Sequence, residues 1–258
     1  MQGISFVYDG VPSEEYNLGI VYIGNDGESY PSGSGVEITA DSLLRNAQML
    51  YLNGRQTPVL EFEFCVASET PFDGYTLSRV KQWLFGALSY RKLQICLEDL
   101  RHLYFNCTLS ADGDYVFLGG YYGFNVKVTC DAPFAWEYPR TFSGALGDAV
   151  FYNTSADAED LMPILRLHMA DAGDFSIVNH SYDDRALVFT GLSKGEEITV
   201  DNRKGMIAST EGRGRLAKFN KCFLRLRPGV NRLTITAPAG TAYEIEYTNA
   251  VRMGGGLY

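Results

Sequence analysis

The chain of 258 residues carries 31 acidic and 22 basic side chains, for a formal net charge of −9, with 46% hydrophobic and 21% charged residues. Such a composition is that of a soluble globular protein, and its charge repels nucleic acid rather than wrapping it. No apolar run approaches the ~20 residues needed to cross a bilayer.

The opening MQGISFVYDG shows neither the basic n-region nor the apolar h-region of a secretory signal. ISFVYDG reads as a strand closed by the turn Asp9-Gly10, and YNLGIVYIG as a second strand ending at Gly24. ESYPSGSGVEI is expected to be an exposed loop entering a strand, and DSLLRNAQ a short helix capped by Asp41. PVLEFEFCVA alternates, with Leu60, Phe62, Phe64 and Val66 facing one way and Glu61 and Glu63 the other. That is a strand with one face in water.

DGYTLSRVKQWLFGAL gives the one convincing helix, over about residues 75–88, with Asp73 or Thr76 as its cap. Leu77, Val80, Leu84 and Leu88 recur at helical spacing beside Trp83, while Arg79 and Lys81 fall off that stripe. KLQICLE, LYFNCTLS and FNVKVTC are strands joined by turns such as ADGD. YVFLGGYYGFNV, Tyr115 to Val126, is apolar on both faces, so it is either doubly buried or an edge that pairs with a neighbour.

After Glu137 the texture changes. Residues 138–160 are rich in Gly, Ala, Ser and Asp and hold few strand runs. PILRLHM, FSIVNH, ALVFTG, EEITVDN, CFLRLRPGVNRLTITA and AYEIEYTNA then follow at short, turn-punctuated intervals with no helix signal. This pattern predicts an antiparallel sandwich, with Pro228-Gly229 centring a hairpin turn and Tyr243, Ile245 and Tyr247 sharing a face. The closing RMGGGLY is expected to be flexible unless docked. Charge divides unevenly: 16 acids and 8 bases lie up to Ala135, against 15 and 14 beyond it. Two domains, 1–135 and 136–258, fit these changes.

Chemistry is hard to find. There is no GxSxG, Walker lysine loop or HExxH, and the glycines of EGRGRL lack a dinucleotide frame. His102, His168 and His180 stand singly in or beside strand runs and read as structural. The acidic clusters ADAED, DAGD and YDDR sit in turn-like contexts, where Asp bonds its own backbone, and none has calcium-loop spacing. Cys65, Cys96, Cys107, Cys130 and Cys222 are odd in number and never in a C-x-x-C pair, so buried free thiols are expected. Three glycosylation triplets have no export signal to support them. No catalytic residue, metal or cofactor is assigned. A sugar site through Tyr182 or the loop STEGRGRLAKFN is the alternative for the second half, although nothing specifies it. The basic run Arg213, Arg215, Lys218 and Lys221 is either a solvated hairpin loop or a docking surface for an acidic neighbour.

The ordered set of motifs resembles the siphophage distal tail proteins (Dit). It comprises ISFVYDGVPSEEYNLGIVYI at the start, Phe62-Glu63-Phe64, the helix around Trp83, Cys130 to Phe134 as CDAPF, and LRPGVNRLTI, Leu226 to Ile235. The resemblance spans nearly the whole chain. It implies a first β domain with one helix, sandwich-like and related to tail-tube proteins, that forms a hexameric ring between the tail tube and the tip or receptor-binding components. It implies a second, galectin-like β-sandwich, and no catalysed reaction. The protein is then a structural component of the virion, assembled in the host cytoplasm and not inserted in a membrane. The alternative is a carbohydrate-binding module attaching the particle to host polysaccharide through the second domain.

Within that frame, the candidate subunit interface is Tyr115, Phe117, Tyr121, Tyr122 and Phe124. An acidic ring would present a surface that lets DNA slide through. Asp131-Ala132-Pro133 stops the last strand of the ring-forming domain, since proline cannot continue a central ladder. Phe134 and Trp136 are then expected as apolar plugs at the interdomain seam rather than a ligand-stacking pair.

Overall fold

The computed structural model describes residues 3–23, 35–42, 48–56, 59–117, 119–157, 159–212 and 215–253. The chain divides into two units, Met1–Glu137 with Val251–Tyr258, and Tyr138–Ala250.

In the first unit, β1 (Phe6–Tyr8) and β2 (Val11–Pro12) form a hairpin. Its turn is Asp9 at φ 51° and Gly10 at φ 80°, the two left-handed residues that match the twist of the strands. A 3-10 turn at Ser13–Tyr16 leads into β3 (Leu18–Ile23). β4 (Gly35–Ser42) and β5 (Gln48–Gln56) pair in a two-stranded sheet of their own. Asp41 and Ser42 lie opposite Met49 and Gln48, so they extend a strand instead of capping a helix. A ladder partner outweighs the local cap signal there, because strand preference follows pairing context more than single residues. The remainder of that expected helix and the loop expected before Gly35 lie outside the described residues.

β6 (Glu61–Ser68) buries Phe62, Phe64 and Val66 as its alternation requires. α1 (Gly74–Phe85) starts on Asp73, whose Oδ1 accepts the amides of Tyr75 and Thr76 at 2.9 and 2.8 Å. Those bonds hold the Asp73 carboxyl below the usual range. The helix buries Val80 and Leu84, worth roughly 1.5–3 kcal/mol each. Trp83 lies flat between Phe6 and Tyr16, with centroids 5.8 and 5.0 Å away, and its Nε1–H donates to the Tyr8 carbonyl at 3.0 Å. The helix ends earlier than its sequence pattern suggests. Gly86 closes the last turn onto Gln82, and Leu88, expected on the core stripe, is beyond the end and fully exposed.

β7 (Arg91–Ile95), β8 (Leu103–Phe117), β9 (Gly120–Cys130) and the short β10 (Ala135–Glu137) complete this part of the sheet. The expected turn ADGD is not one. It runs inside β8, where a bulge between Ala111 and Gly113 absorbs the Asp-Gly pair, and the hairpin turns beyond Phe117. The strand order is β2-β1-β7-β8-β9-β6-β3, and Ile4, just before β1, bridges Ile20 in β3 through bonds of 2.9 and 2.8 Å. The sheet thus closes on itself. At the closure Gly3 and Gly19 touch so closely that a Cβ on either would lie within 2.9 Å of the other's backbone.

The second unit holds β11 (Arg140–Phe142), β12 (Gly147–Asn153), β13 (Ile164–His168), β14 (Gly173–Asn179), β15 (Arg185–Leu192), β16 (Glu197–Asp201), β17 (Met206–Ser209), β18 (Gly229–Thr236) and β19 (Ala242–Tyr247). One sheet runs β11-β19-β13-β16-β17 and the other β12-β18-β14-β15, every pair antiparallel. Leu165, Val200 and Ile245 from the first meet Phe151, Ile177, Phe189 and Leu233 from the second in one core. This is the expected sandwich. The chain then rejoins the first unit's sheet through β20 (Ala250–Val251), which pairs β10; Val251 and Met253 pack on the first unit's core.

CFLRLRPGVNRL is not the expected strand–turn–strand hairpin, since only Gly229 onward forms a strand. Leu224 and Leu226 do point into the core. Their backbone, however, is held by asparagine side chains. Asn202 Oδ1 accepts from the Leu224 amide at 2.7 Å, Asn179 Nδ2 donates to the Arg225 carbonyl at 3.0 Å, and Asn153 Nδ2 donates to the Leu226 carbonyl at 3.1 Å. Asn231 takes both backbone groups of Arg227, at 2.9 and 2.8 Å. Buried backbone needs partners, and here side chains supply most of them.

Candidate assembly surfaces

β8 is 15 residues long and outruns its neighbour. β7 pairs with it only from Phe105 to Cys107, and beyond that no strand among the described residues pairs with this side of Thr108–Phe117. The far end is shaped by the bulge at Ala111/Gly113 and a second irregularity at Tyr115/Val116. From α1, Lys81 bonds Asp114 at 3.0 Å and lies over the rings of Phe124 and Tyr121, 5.5 and 5.8 Å from their centroids.

The five aromatic candidates separate here. Tyr115 and Phe117 lie in β8 opposite Gly123 and Gly120. Tyr121 is 39% exposed and Tyr122 half-buried. Phe124 is a core residue, stacked on Phe72 at 6.3 Å and edge-on to Phe85 at 5.6 Å, so its ring faces inward and offers no surface. Val116, which alternation alone did not single out, is 51% exposed on the same hairpin. Gly123 fixes the hairpin's place, because a Cβ there would come within 1.9 Å of the Val66 carbonyl oxygen.

Phe134 and Trp136 belong to the first unit. Trp136 pairs opposite Tyr104, and its ring meets Phe134 edge-on at 5.8 Å. Phe134 is buried and Trp136 half-buried, with the indole Nε1 shielded and without a hydrogen-bond partner among the described residues.

Two members of the basic run, Arg215 and Lys218, turn back on their own unit. Arg215 is 12% exposed and pairs with the fully buried Glu196 at 2.5 Å. Glu196 also accepts from Ser209 Oγ at 2.7 Å and the Ser193 amide at 2.9 Å. Lys218 donates to the Gly191 carbonyl at 2.6 Å. Lys221 is exposed at φ 61°, and Arg213 lies outside the described residues.

A shallow cleft of about 280 Å³ crosses the outer face of the five-stranded sheet, lined by Arg166, His168, Glu197, Thr199, Ala242 and Glu244. Its charges are partly matched within the sheet, Arg166 to Glu246 at 2.5 Å and His168 to Glu197 at 3.5 Å. The Tyr243 ring behind it belongs to the core. Tyr182, the ring considered for stacking a sugar, is covered by Arg227, 4.1 Å from its centroid. Several of the acidic side chains bond locally: Asp157 accepts from the Glu159 amide, Asp171 from the Ala172 amide, and Asp184 contacts His180 at 2.6 Å, while Asp174 accepts from the distant Gly191 amide. Among the described residues no three His, Cys, Asp or Glu gather as metal ligands, and no helix is long and apolar enough to cross a membrane. All five cysteines are free; Cys107 and Cys130 are buried, Cys65 and Cys222 half-buried and Cys96 exposed, so burial holds for only part of the set.

Residues 1–132 match the family described as "Phage tail protein N-terminal domain" and residues 134–247 that described as "Phage tail C-terminal domain". The fold is similar to the crystal structure of the phage SPP1 protein Dit, titled a paradigm of the hub adsorption apparatus in phages infecting Gram-positive hosts. The TM-score is 0.68 at 13% identity, over 96% of this chain and 99% of that one. A component of the phage p2 baseplate, in its activated conformation with Sr, is also similar at TM-score 0.48 and 10% identity, over 95% of this chain and 98% of that one. No curated protein matches the sequence.

Proposed function

The chain belongs to the family of phage tail proteins whose N-terminal and C-terminal domains it matches in order, and from that premise we propose that it is the structural hub at the distal end of a long tail. In this reading six copies of the first domain close a ring that joins the tail tube to the tip and receptor-binding apparatus, and DNA passes through it. The protein works by assembly, with no reaction and no cofactor, and it joins the virion in the host cytoplasm. The observation that carries the reading is the likeness in fold to SPP1 Dit, described as a paradigm of the hub adsorption apparatus, across 96% of this chain rather than one unit.

We assign the subunit contact to the open side of β8 from Thr108 to Phe117, with Tyr115, Phe117, Tyr121 and Tyr122 at its end. An unpaired edge is a template for a neighbouring chain, and a head-to-tail contact of that kind closes into a ring when its rotation allows. Phe124 supports the hairpin from inside. The acidic character of residues 1–135 favours a passage that repels DNA, and the exposed Lys221 is offered to an acidic neighbour.

Negative-stain images and light scattering of the purified chain at micromolar concentration test this directly. Six-fold rings are expected. A dispersed monomer at that concentration overturns the ring.

A further inference from the structure

Cys107 in β8 and Cys130 in β9 are direct cross-strand partners, and both are wholly buried in the first unit's core. The backbone shows what kind of pair they form. The Cys130 amide donates away from β8, to the Leu60 carbonyl at 2.9 Å, while the next residue, Asp131, donates back to the Asn106 carbonyl at 2.9 Å. Cys107 is paired on its other side with Arg91 of β7. The two cysteines are therefore a non-hydrogen-bonded pair, the site where Cα atoms approach to ~4.5 Å and side chains lie closest. A disulfide spans Cα separations from about 4.4 Å upward, so this register accepts one. Cys65 has Asn125 opposite it in β9 and Tyr22 in β3, which shows that the match is particular to this pair.

Burial keeps both thiols protonated. It pushes Cys130 up to about 12, with Asp131 and Glu61 adding to the effect, and Cys107 higher still, with Cys130 adding. Such a pair is inert while the strands stay closed and reacts only when the sheet opens locally.

We propose that Cys107 and Cys130 are a redox couple that closes into a cross-strand disulfide between β8 and β9 under oxidising conditions. The oxidant is a small-molecule disulfide such as oxidised glutathione. One cysteine loses its proton and attacks a glutathione sulfur, forming a mixed disulfide and releasing one glutathione thiolate. The second cysteine, deprotonated in turn, attacks the protein sulfur and releases the other glutathione. Two protein thiols lose two electrons, one glutathione disulfide gains them, and the two protons end on the released thiols. The link pins β8 to β9 at the base of the hairpin whose far end carries the exposed Val116 and Tyr121. Its value to a particle released from a reducing cytoplasm rests on the assembly reading; the chemistry does not.

The test unfolds the full chain and refolds it in glutathione buffers from fully reduced to fully oxidised, followed by alkylation and peptide mapping. A peptide linking Cys107 to Cys130 is expected to grow with the oxidised fraction and to be absent from Cys130→Ala. The oxidised chain should melt about 5–10 °C higher in its first unit, because the link restricts the unfolded chain. Recovery of both residues as free thiols in every buffer overturns the proposal, as does their capture by glutathione or by Cys96 instead of each other. Where Cys130→Ala fails to refold, the linked peptide in the unaltered chain decides. Absence of rings leaves this outcome untouched.

Discussion

Leu224–Arg227 in the second unit and the β8 side beyond Cys107 in the first are both stretches of backbone outside a complete ladder, and they meet opposite treatment. The first carries the buried Leu224 and Leu226, and asparagines at positions 153, 179, 202 and 231, with the Leu161 backbone, take up its amides and carbonyls. The second keeps an open side, with no strand of the described residues across it. A buried group must be satisfied within its own chain, whereas an exposed edge leaves its bonds for water or for another chain. The second unit thus pairs this stretch of its backbone from within, and the first holds its reserve at the surface.

The contrast breaks most severely at Gly123. Gly123→Ala sets a Cβ against the Val66 carbonyl oxygen, and no flexible atom is there to yield. The first unit should lose about 4 kcal/mol or more of stability, its calorimetric transition falling or vanishing while the second unit's stays in place. The matching change in the second unit is Asn231→Ala, which removes the partner of both backbone groups of Arg227 and one of the two bonds of the Asn179 amide nitrogen. A loss of about 2–4 kcal/mol confined to the second transition is expected, and equal movement of both transitions would refute the division. Alkali gives a gentler comparison. In the first unit Tyr8 is pushed up to about 12 by burial, with Cys107 and Asp9 adding, and Cys130 also reaches about 12. Folded values above the unfolded ones mean stability that is whole below about pH 8.5 and lost as pH climbs toward 12. Melts followed by circular dichroism between pH 8 and 11.5 should show the first unit falling by a few degrees before the second, where burial of Tyr243 raises its hydroxyl.

Periodicity made much of this architecture legible. Phe62, Phe64 and Val66 announce β6, Val80 and Leu84 the helix face, and Leu165 and Leu167 the sandwich core. What escaped has local causes. Leu88 keeps helical spacing after the helix has ended at Gly86, since spacing carries no mark of where a helix stops. Leu224 and Leu226 alternate as a strand would, yet their backbone partners are asparagines from distant segments, which local spacing cannot reveal. Asp112-Gly113 signals a turn but forms a bulge, because β9 runs alongside and holds the strand together. On the hairpin proposed for assembly, sequence did not separate inner from outer faces: Phe124 went inside and Val116 outside. The basic run was visible as charge, while the buried Glu196 that claims Arg215 was not.

The pairing of β10 with β20 carries one more consequence. The chain leaves the first unit's sheet by one strand and re-enters it by that strand's neighbour, so residues 138–250 are an insert between two paired strands of their host. Lengthening such a loop costs little closure entropy, because the cost grows only with the logarithm of its length. The first unit can therefore accept other guests at this point. Grafting a short turn, or an unrelated domain with adjoining termini, between Glu137 and Ala250 should leave the host sheet intact, which makes the molecule a natural acceptor for module exchange.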